Sequence, residues 1–304
     1  MKIFKGLFLV LFLIFMSCSK ESKVKDSYLL NKIILEIEER QSYDEDQYPL
    51  GLFSKEHYKK EAEYAKEQLI RLAKIDVIFL SETESISLKL LKFQLQDTID
   101  YFEFEMYLNP LLSDSGFHTN FSFMVRPFQN YEQVKDYLTK LNAIPSRVNQ
   151  FLPLLREGLE KGVSQPSVIF NGYESSYNDH IIENFEKSYF YQPFNNLPKT
   201  LTSTQKDSVL IAAKVAITTN VIPQFKLVKT FFEEEYFPKT RTSIGISETP
   251  NGNAYYQNRI NYYTTSTQYI ADDIHSIGLQ EVARIKTEMK KIDHWELLKK
   301  MTQI

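Results

Sequence analysis

Cysteine is almost missing from this chain: Cys18 is the one thiol in 304 residues. No intrachain disulfide and no thiolate metal cluster can form. Glycine is scarce as well, at 9 residues, which leaves little material for tight β-turns and favours long helices. Charge of one sign does not dominate. Lys and Arg total 36 against 39 Asp and Glu, a formal net charge of −3 with a pI near 6.0. That balance excludes the basic footprint of a nucleic-acid binder. No His-Glu-x-x-His, Asp-rich loop, Gly-x-Ser-x-Gly elbow or phosphate-binding glycine loop occurs, so the common signatures of zinc, calcium, serine-nucleophile and nucleotide chemistry are absent. Aromatics, in contrast, are abundant: 22 Phe and 19 Tyr bring the aromatic share to 14%. Rings must fill the interior.

The first residues read as a targeting segment. Lys2 and Lys5 precede an apolar run over 6–16, too short for a permanent bilayer span. The run ends in Ser17-Cys18, a small residue before cysteine, which reads as a lipobox cut before Cys18. An acylated Cys18 would hold the protein on membrane lipid, at about 0.8 kcal/mol per buried CH₂. The expected organisation is a leader over 1–17, a polar tether over 18–27 and one helical domain over 28–304. The Ser19-Lys20-Glu21 start of the tether resembles the surface-export tethers of some Gram-negative lipoproteins, which implies a lipid-anchored place in the cell envelope, at the outer membrane. No second stretch is expected to span a bilayer.

The rest is expected to be mainly α, an irregular multi-helix array. Apolar positions 29, 30, 33, 34 and 37 have helical spacing. Ser54 opens an amphipathic helix to about Lys74, and the capping box Ser81-x-x-Glu84 opens another to Leu108, stopped by Asn109-Pro110. Asn130-x-x-Gln133 starts a helix through Leu141, and Ile144-Pro145 a separate one to Lys161. Pro166 is expected to begin a helix through Phe185, and Thr202-x-x-Gln205 one through Tyr236 that Pro223 bends or splits. The segment 238–266, rich in Thr, Ser, Asn and Tyr, has strand-like composition after the turn Pro250-Asn251-Gly252-Asn253. One or two short strands are expected near 254–264.

The last helix, from about Thr267 to Leu298, carries the sharpest local pattern. Ile274, Ile277, Gly278, Val282, Ile285, Met289 and Ile292 share one face at 100° per residue. Glu281 and Glu288 fall inside the same arc, two turns apart. Buried there, each carboxylate would need a cation, a metal or a donor. Arg284 is spaced to serve either one. The pattern fits a structural ion-pair network, or a carboxylate pair lining a cleft. His275, at the edge of the face, reads as a packing residue, since six residues separate it from Glu281. His57, His118, His180 and His294 show no ligand spacing.

Together, Pro250-Asn251-Gly252-Asn253-Ala254-Tyr255-Tyr256, the block His275 to Met289, Asn109-Pro110, Gly116-Phe117, Leu155-Arg156-Glu157-Gly158 and Pro238-x-x-Arg241 resemble the bacterial lipoprotein family catalogued as domain-of-unknown-function family 885. The resemblance covers about residues 28 to 292. It implies an extracytoplasmic, mostly helical, zinc-peptidase-like fold whose full-length members carry His-Glu-x-x-x-Gly-His well downstream of the part seen here. On that basis zinc is expected in full-length members and no cofactor in this chain, which reads as a truncated form, inactive alone. Gly252, Tyr255 and Tyr256, with His275, Glu281, Arg284 and Glu288, are then the candidates for a substrate cleft, and no residue is assigned a catalytic role. Expected partners are membrane lipid through Cys18, a peptide pairing with an extended edge, and a separately encoded C-terminal half. The alternative is a non-enzymatic, membrane-anchored helical protein that binds a peptide or protein through the Tyr-rich cleft.

Overall fold

The computed structural model describes residues 25–301, with side chains through Ile292. Cys18 and the leader lie outside the described residues. The chain divides into two compact units between Ile244 and Gly245.

In the first unit, helix α1 (25–38) meets α2 (Lys55–Leu72) and α3 (Glu82–Glu103). Leu30, Ile33, Ala65, Leu72, Leu88, Leu95 and Ile99 form their shared core. The starts follow the expected caps. Ser54 accepts from the His57 amide at 3.1 Å, and Ser81 and Glu84 close a reciprocal box. Helix α3 ends five residues before Leu108, because Glu105 turns left-handed at φ 52° and opens a separate 3-10 turn, Met106–Leu108.

Helix α4 (Tyr131–Glu160) is one continuous helix where two were expected, with Pro145 and Pro153 inside it. Each proline removes one ladder bond, at a cost near 3 kcal/mol. The buried row Val134, Tyr137, Leu141, Ile144, Val148, Leu152 and Leu155 runs straight past both. Burying these side chains, at about 1.5–3 kcal/mol each, outweighs the loss. Near its end, Gly158 lets the helix approach the Leu108 carbonyl so closely that a Cβ would stand 2.5 Å from it.

The helix expected over Pro166 to Phe185 does not form. A 3-10 turn (Ser167–Phe170), the four-residue α5 (Ser175–Asn178) and further 3-10 turns replace it. Gly172 at φ 80° reverses the chain, and Tyr173, Tyr177, Phe190 and Phe194 point inward. Helix α6 (Ser203–Ala216) starts at the expected Thr202–Gln205 box. A π turn (Ile217–Val221) then absorbs Pro223 without a break before α7 (Ile222–Thr230), and a second π turn covers Phe231–Tyr236. The run Ser203–Lys239 is, by length and composition, long and apolar enough to cross a membrane, against the expectation that only the leader region would be apolar at length. Its Val209, Ala213, Val221, Phe225 and Phe232 belong to the main core with the buried row of α4.

The second unit contains a 3-10 turn (Ile246–Glu248), α8 (Gly252–Thr264) and α9 (Ala271–Met301). The strands expected near 254–264 are a helix instead. Composition alone suggested extended backbone, but the ladder starts at once: the Tyr255 amide donates to the Asn251 carbonyl at 2.9 Å. Thr264 Oγ1 donates to the Ile260 carbonyl at 2.7 Å, and left-handed Thr265 at φ 51° ends the helix. Among the described residues there is no strand, only an isolated bridge between Pro166 and Arg241. The extended edge suggested for peptide pairing is therefore absent from 254–264.

Candidate functional site

The cleft candidates singled out from the sequence lie in the second unit, on α8 and α9. Asn251 takes a left-handed conformation at φ 57°, and the Gly252 amide donates to the Thr249 carbonyl at 2.9 Å. A Cβ on Gly252 would stand 1.8 Å from the Ile246 carbonyl oxygen. The glycine is thus required by packing at the mouth of α8. Tyr255 is half-buried and Tyr256 is 45% exposed. The Arg259 guanidinium lies 5.9 Å from the Tyr255 ring and 4.8 Å from the Tyr262 ring. Gln257 fastens the end of the connection to α9, donating to the Tyr269 carbonyl at 2.7 Å.

On α9 the carboxylates are solvated rather than sunk among isoleucines. Arg284 meets Glu281 at 2.8 Å, while Glu288 pairs with Lys291 at 2.8 Å. Arg284 therefore serves one of the two carboxylates for which its spacing fitted. These are surface pairs of small energetic weight. His275 is exposed in the second turn of α9.

Chemistry that the sequence pattern did not flag lies in the first unit. His118 is 1% exposed, ringed by Phe117, Tyr173 and Phe232 at centroid distances of 5.2 to 5.6 Å. Its Nε2 stands 2.9 Å from Ser176 Oγ, and its Nδ1 is buried without a partner. This resembles a serine–histidine pair. However, burial pushes the imidazole down to about 3, and no carboxylate orients Nδ1, so the ring is a poor base. His180 is also pushed down by burial, with its ring 4.3 Å from Phe225. No residue spacing pointed to these two, because turns rather than one helix face bring them among the rings.

Their burial makes stability depend on pH. A histidine whose folded pKa lies below its unfolded value near 6.5 binds its proton in the unfolded chain first. Stability is full above that value and falls as pH drops below it. His118 alone should cost about 2 kcal/mol at pH 5. Carboxylates held low by basic partners, such as Glu36 beside Arg71 and Glu235 beside Arg156, titrate below that window. Urea unfolding at pH 7 and pH 5 should therefore show a loss that His118→Phe removes in large part; an unchanged pH 7 to 5 difference in the variant would refute it.

Among the described residues, no three or more His, Cys, Asp or Glu side chains are grouped to hold a metal ion. A shallow surface cavity of about 330 Å³ lies at Arg126, Gln192, Asn195 and Asn196, and none of the sequence candidates lines it.

These features define a mainly α-helical protein with an aromatic core. The family described as bacterial protein of unknown function (DUF885) matches residues 39–295, and the chain belongs to that family. A crystal structure of a candidate lipoprotein from Colwellia psychrerythraea is similar in fold, with a TM-score of 0.70 at 18% identity. The match covers 88% of this chain and 50% of that one, so this chain spans half the length of that structure. A search of curated proteins found no match.

Proposed function

We propose that this chain supplies the helical wall of a zinc-peptidase-like envelope lipoprotein and does not carry the hydrolytic centre by itself. The observation behind this reading is the uncovered face of α9. Ile277, Val282, Ile285, Met289 and Ile292 are between 45% and 63% exposed, and they share one apolar arc. Gly278 lies within that arc, and a Cβ there would meet nothing within 4 Å. A mid-helix glycine costs about 1 kcal/mol relative to alanine. On a bare apolar stripe it suits the close approach of another helix, and a stripe of this length fits a docking surface. We assign that helix to the half of the fold that this chain does not match. Zinc, by the family resemblance, would belong to that half. In such an assembly Tyr256 on α8, with Glu281 and Glu288, would border the cleft for a peptide substrate, and an acylated Cys18 would hold the protein at the outer membrane.

A second reading is a peptide-binding lipoprotein without catalysis. It draws on Tyr256 and Tyr263, two exposed rings seven residues apart on α8.

Assays on the chain alone separate these readings. Under the first, the chain retains no stoichiometric zinc after dialysis and cleaves no peptide when zinc is restored. It also enhances anilinonaphthalene sulfonate fluorescence, and Val282→Glu with Met289→Glu reduces that signal severalfold while the melting temperature moves by about 1 °C or less, because exposed sites carry little stability. Tightly held zinc together with peptide cleavage at enzymatic rates would overturn this reading. Saturable peptide binding lost in Tyr256→Ala, with no dye enhancement, would favour the second.

A further inference from the structure

We propose that Arg147 is the receptor for a carboxylate ligand, in a site within the first unit that is separate from the α9 seam. Arg147 rises from the middle of α4 and is only 9% exposed. Charged side chains are rarely buried this far without an opposite charge. Among the described residues no carboxylate stands within ion-pair distance of it. Its cation is met by rings instead: Phe53 at 4.5 Å, Phe151 at 5.5 Å and Phe121 at 5.7 Å from the guanidinium carbon.

The hydrogen bonds show which edge is unused. Nη1 donates to the Leu50 carbonyl at 2.7 Å. Nε is sealed from water and has no acceptor. Nη2 makes no hydrogen bond among the described residues and, unlike Nε, is not sealed from water. Nε and Nη2 form the side of the guanidinium that takes both oxygens of a carboxylate in parallel. The occupied corner is therefore the one that a bidentate anion does not need, and the Nε–Nη2 edge makes no hydrogen bond among the described residues.

The surroundings suit a planar anion. The Tyr43 and Tyr58 phenols act electrostatically on the guanidinium. The Tyr58 hydroxyl is engaged in a hydrogen bond with Tyr101, so Tyr43 is the phenol whose O–H can donate to a carboxylate oxygen. The loop above is fastened one turn further along α4, where Gln150 accepts from the Phe53 amide at 2.6 Å and donates to the Gly51 carbonyl at 3.4 Å. Holding Leu50 would need only a neutral donor. A buried cation whose Nε–Nη2 edge is unpaired matches the donor pattern that recognises a carboxylate. The carboxylate could end a peptide or belong to a small organic acid, so both are tested.

The full chain is titrated with acetate, N-acetyl-Ala-Ala and inorganic phosphate at constant ionic strength, with chloride as control. Binding is followed by the ¹⁵N–¹H resonance of the Arg147 Nε group and by the melting temperature. The expected result is a saturable shift of that resonance and a rise in melting temperature with one or both carboxylates, but not with chloride. Tighter binding of N-acetyl-Ala-Ala than of acetate identifies a peptide terminus; equal binding identifies a small acid. Arg147→Lys keeps the charge but loses the fork and should weaken binding at least tenfold. Gln150→Ala loosens the same loop and should keep it. The resonance measurement needs no variant, so it decides the matter even if Arg147→Lys misfolds. No movement of the Nε resonance, an equal response to chloride or phosphate, or full affinity in a folded Arg147→Lys would overturn the proposal.

Discussion

Phe232→Ala is expected to destabilise the first unit by about 4 kcal/mol, the range found when a buried aromatic side chain is cut back to a methyl group. Phe232 has no exposed surface and sits in the second π turn with Phe231 and Tyr236, which are also buried. Seven rings surround it. Phe237 and Tyr177 stack on it at 5.3 and 5.9 Å, and Tyr173 and Tyr236 meet it edge-on at 5.5 and 5.9 Å. His118, Phe231 and Phe117 complete the shell at 5.2, 5.6 and 6.4 Å. These partners come from the turn after α3, from the 161–202 segment and from the end of the α6–α7 run. One truncation therefore opens a cavity where separate parts of the chain meet, and close-packed interiors refill such cavities poorly. In thermal melts the midpoint should fall by about 10 °C. Phe232→Leu keeps most of the volume and loses the ring contacts, so it should cost about 1.5 kcal/mol. A Phe232→Ala melt within 2 °C of the parent would show that the ring cluster does not carry the core.

The clearest sequence signals were those written in local chemistry. Ser54, the Ser81–Glu84 box, Asn130 and the Thr202–Gln205 box each open the helix they announced, since a cap needs only residues three apart. The prolines were legible as costs but not as outcomes. Whether Pro145 divides a helix depends on how much apolar surface the helix buries on both sides of it, and that is a tertiary quantity. The strands expected after Asn251 failed for a related reason, because Tyr, Asn and Thr prefer extended backbone only weakly and context overrides them. The apolar arc of α9 was read correctly as an arc. Periodicity reports which residues share a face and says nothing of whether a neighbour covers it. Glu281 and Glu288 were therefore placed on the right face, but the burial inferred for them does not occur in the described structure. His118 and Arg147 could not be found this way at all. Each is isolated in sequence and gains its environment from turns or loops packed above a helix.

Gly252 and Gly278 make a pair whose substitution by alanine should act in opposite directions. Both are helical, both lie in the second unit, and both belong to stretches that resemble the family. At Gly252 the added Cβ would overlap the Ile246 carbonyl oxygen at 1.8 Å and lie 2.8 Å from Thr249 Oγ1. Backbone cannot swing aside as a side chain can, so the 3-10 turn Ile246–Glu248 must separate from the first turn of α8. Overpacking of this kind costs about 3 kcal/mol, and it should appear locally as amide exchange across 252–264 that is about 100-fold faster, since each 1.4 kcal/mol is a factor of ten. At Gly278 the same methyl meets nothing within 4 Å. There alanine removes only the conformational freedom of glycine, and α9 should gain up to about 1 kcal/mol. Hydrogen exchange on the two variants, measured side by side, checks the sign at each position. Slow exchange retained across α8 in Gly252→Ala would mean that the turn can yield, and Gly252 would then need another explanation, such as contact with a bound peptide. A loss of protection in Gly278→Ala would mean that α9 is already covered on its apolar face, and the docking seam would have no vacancy to fill.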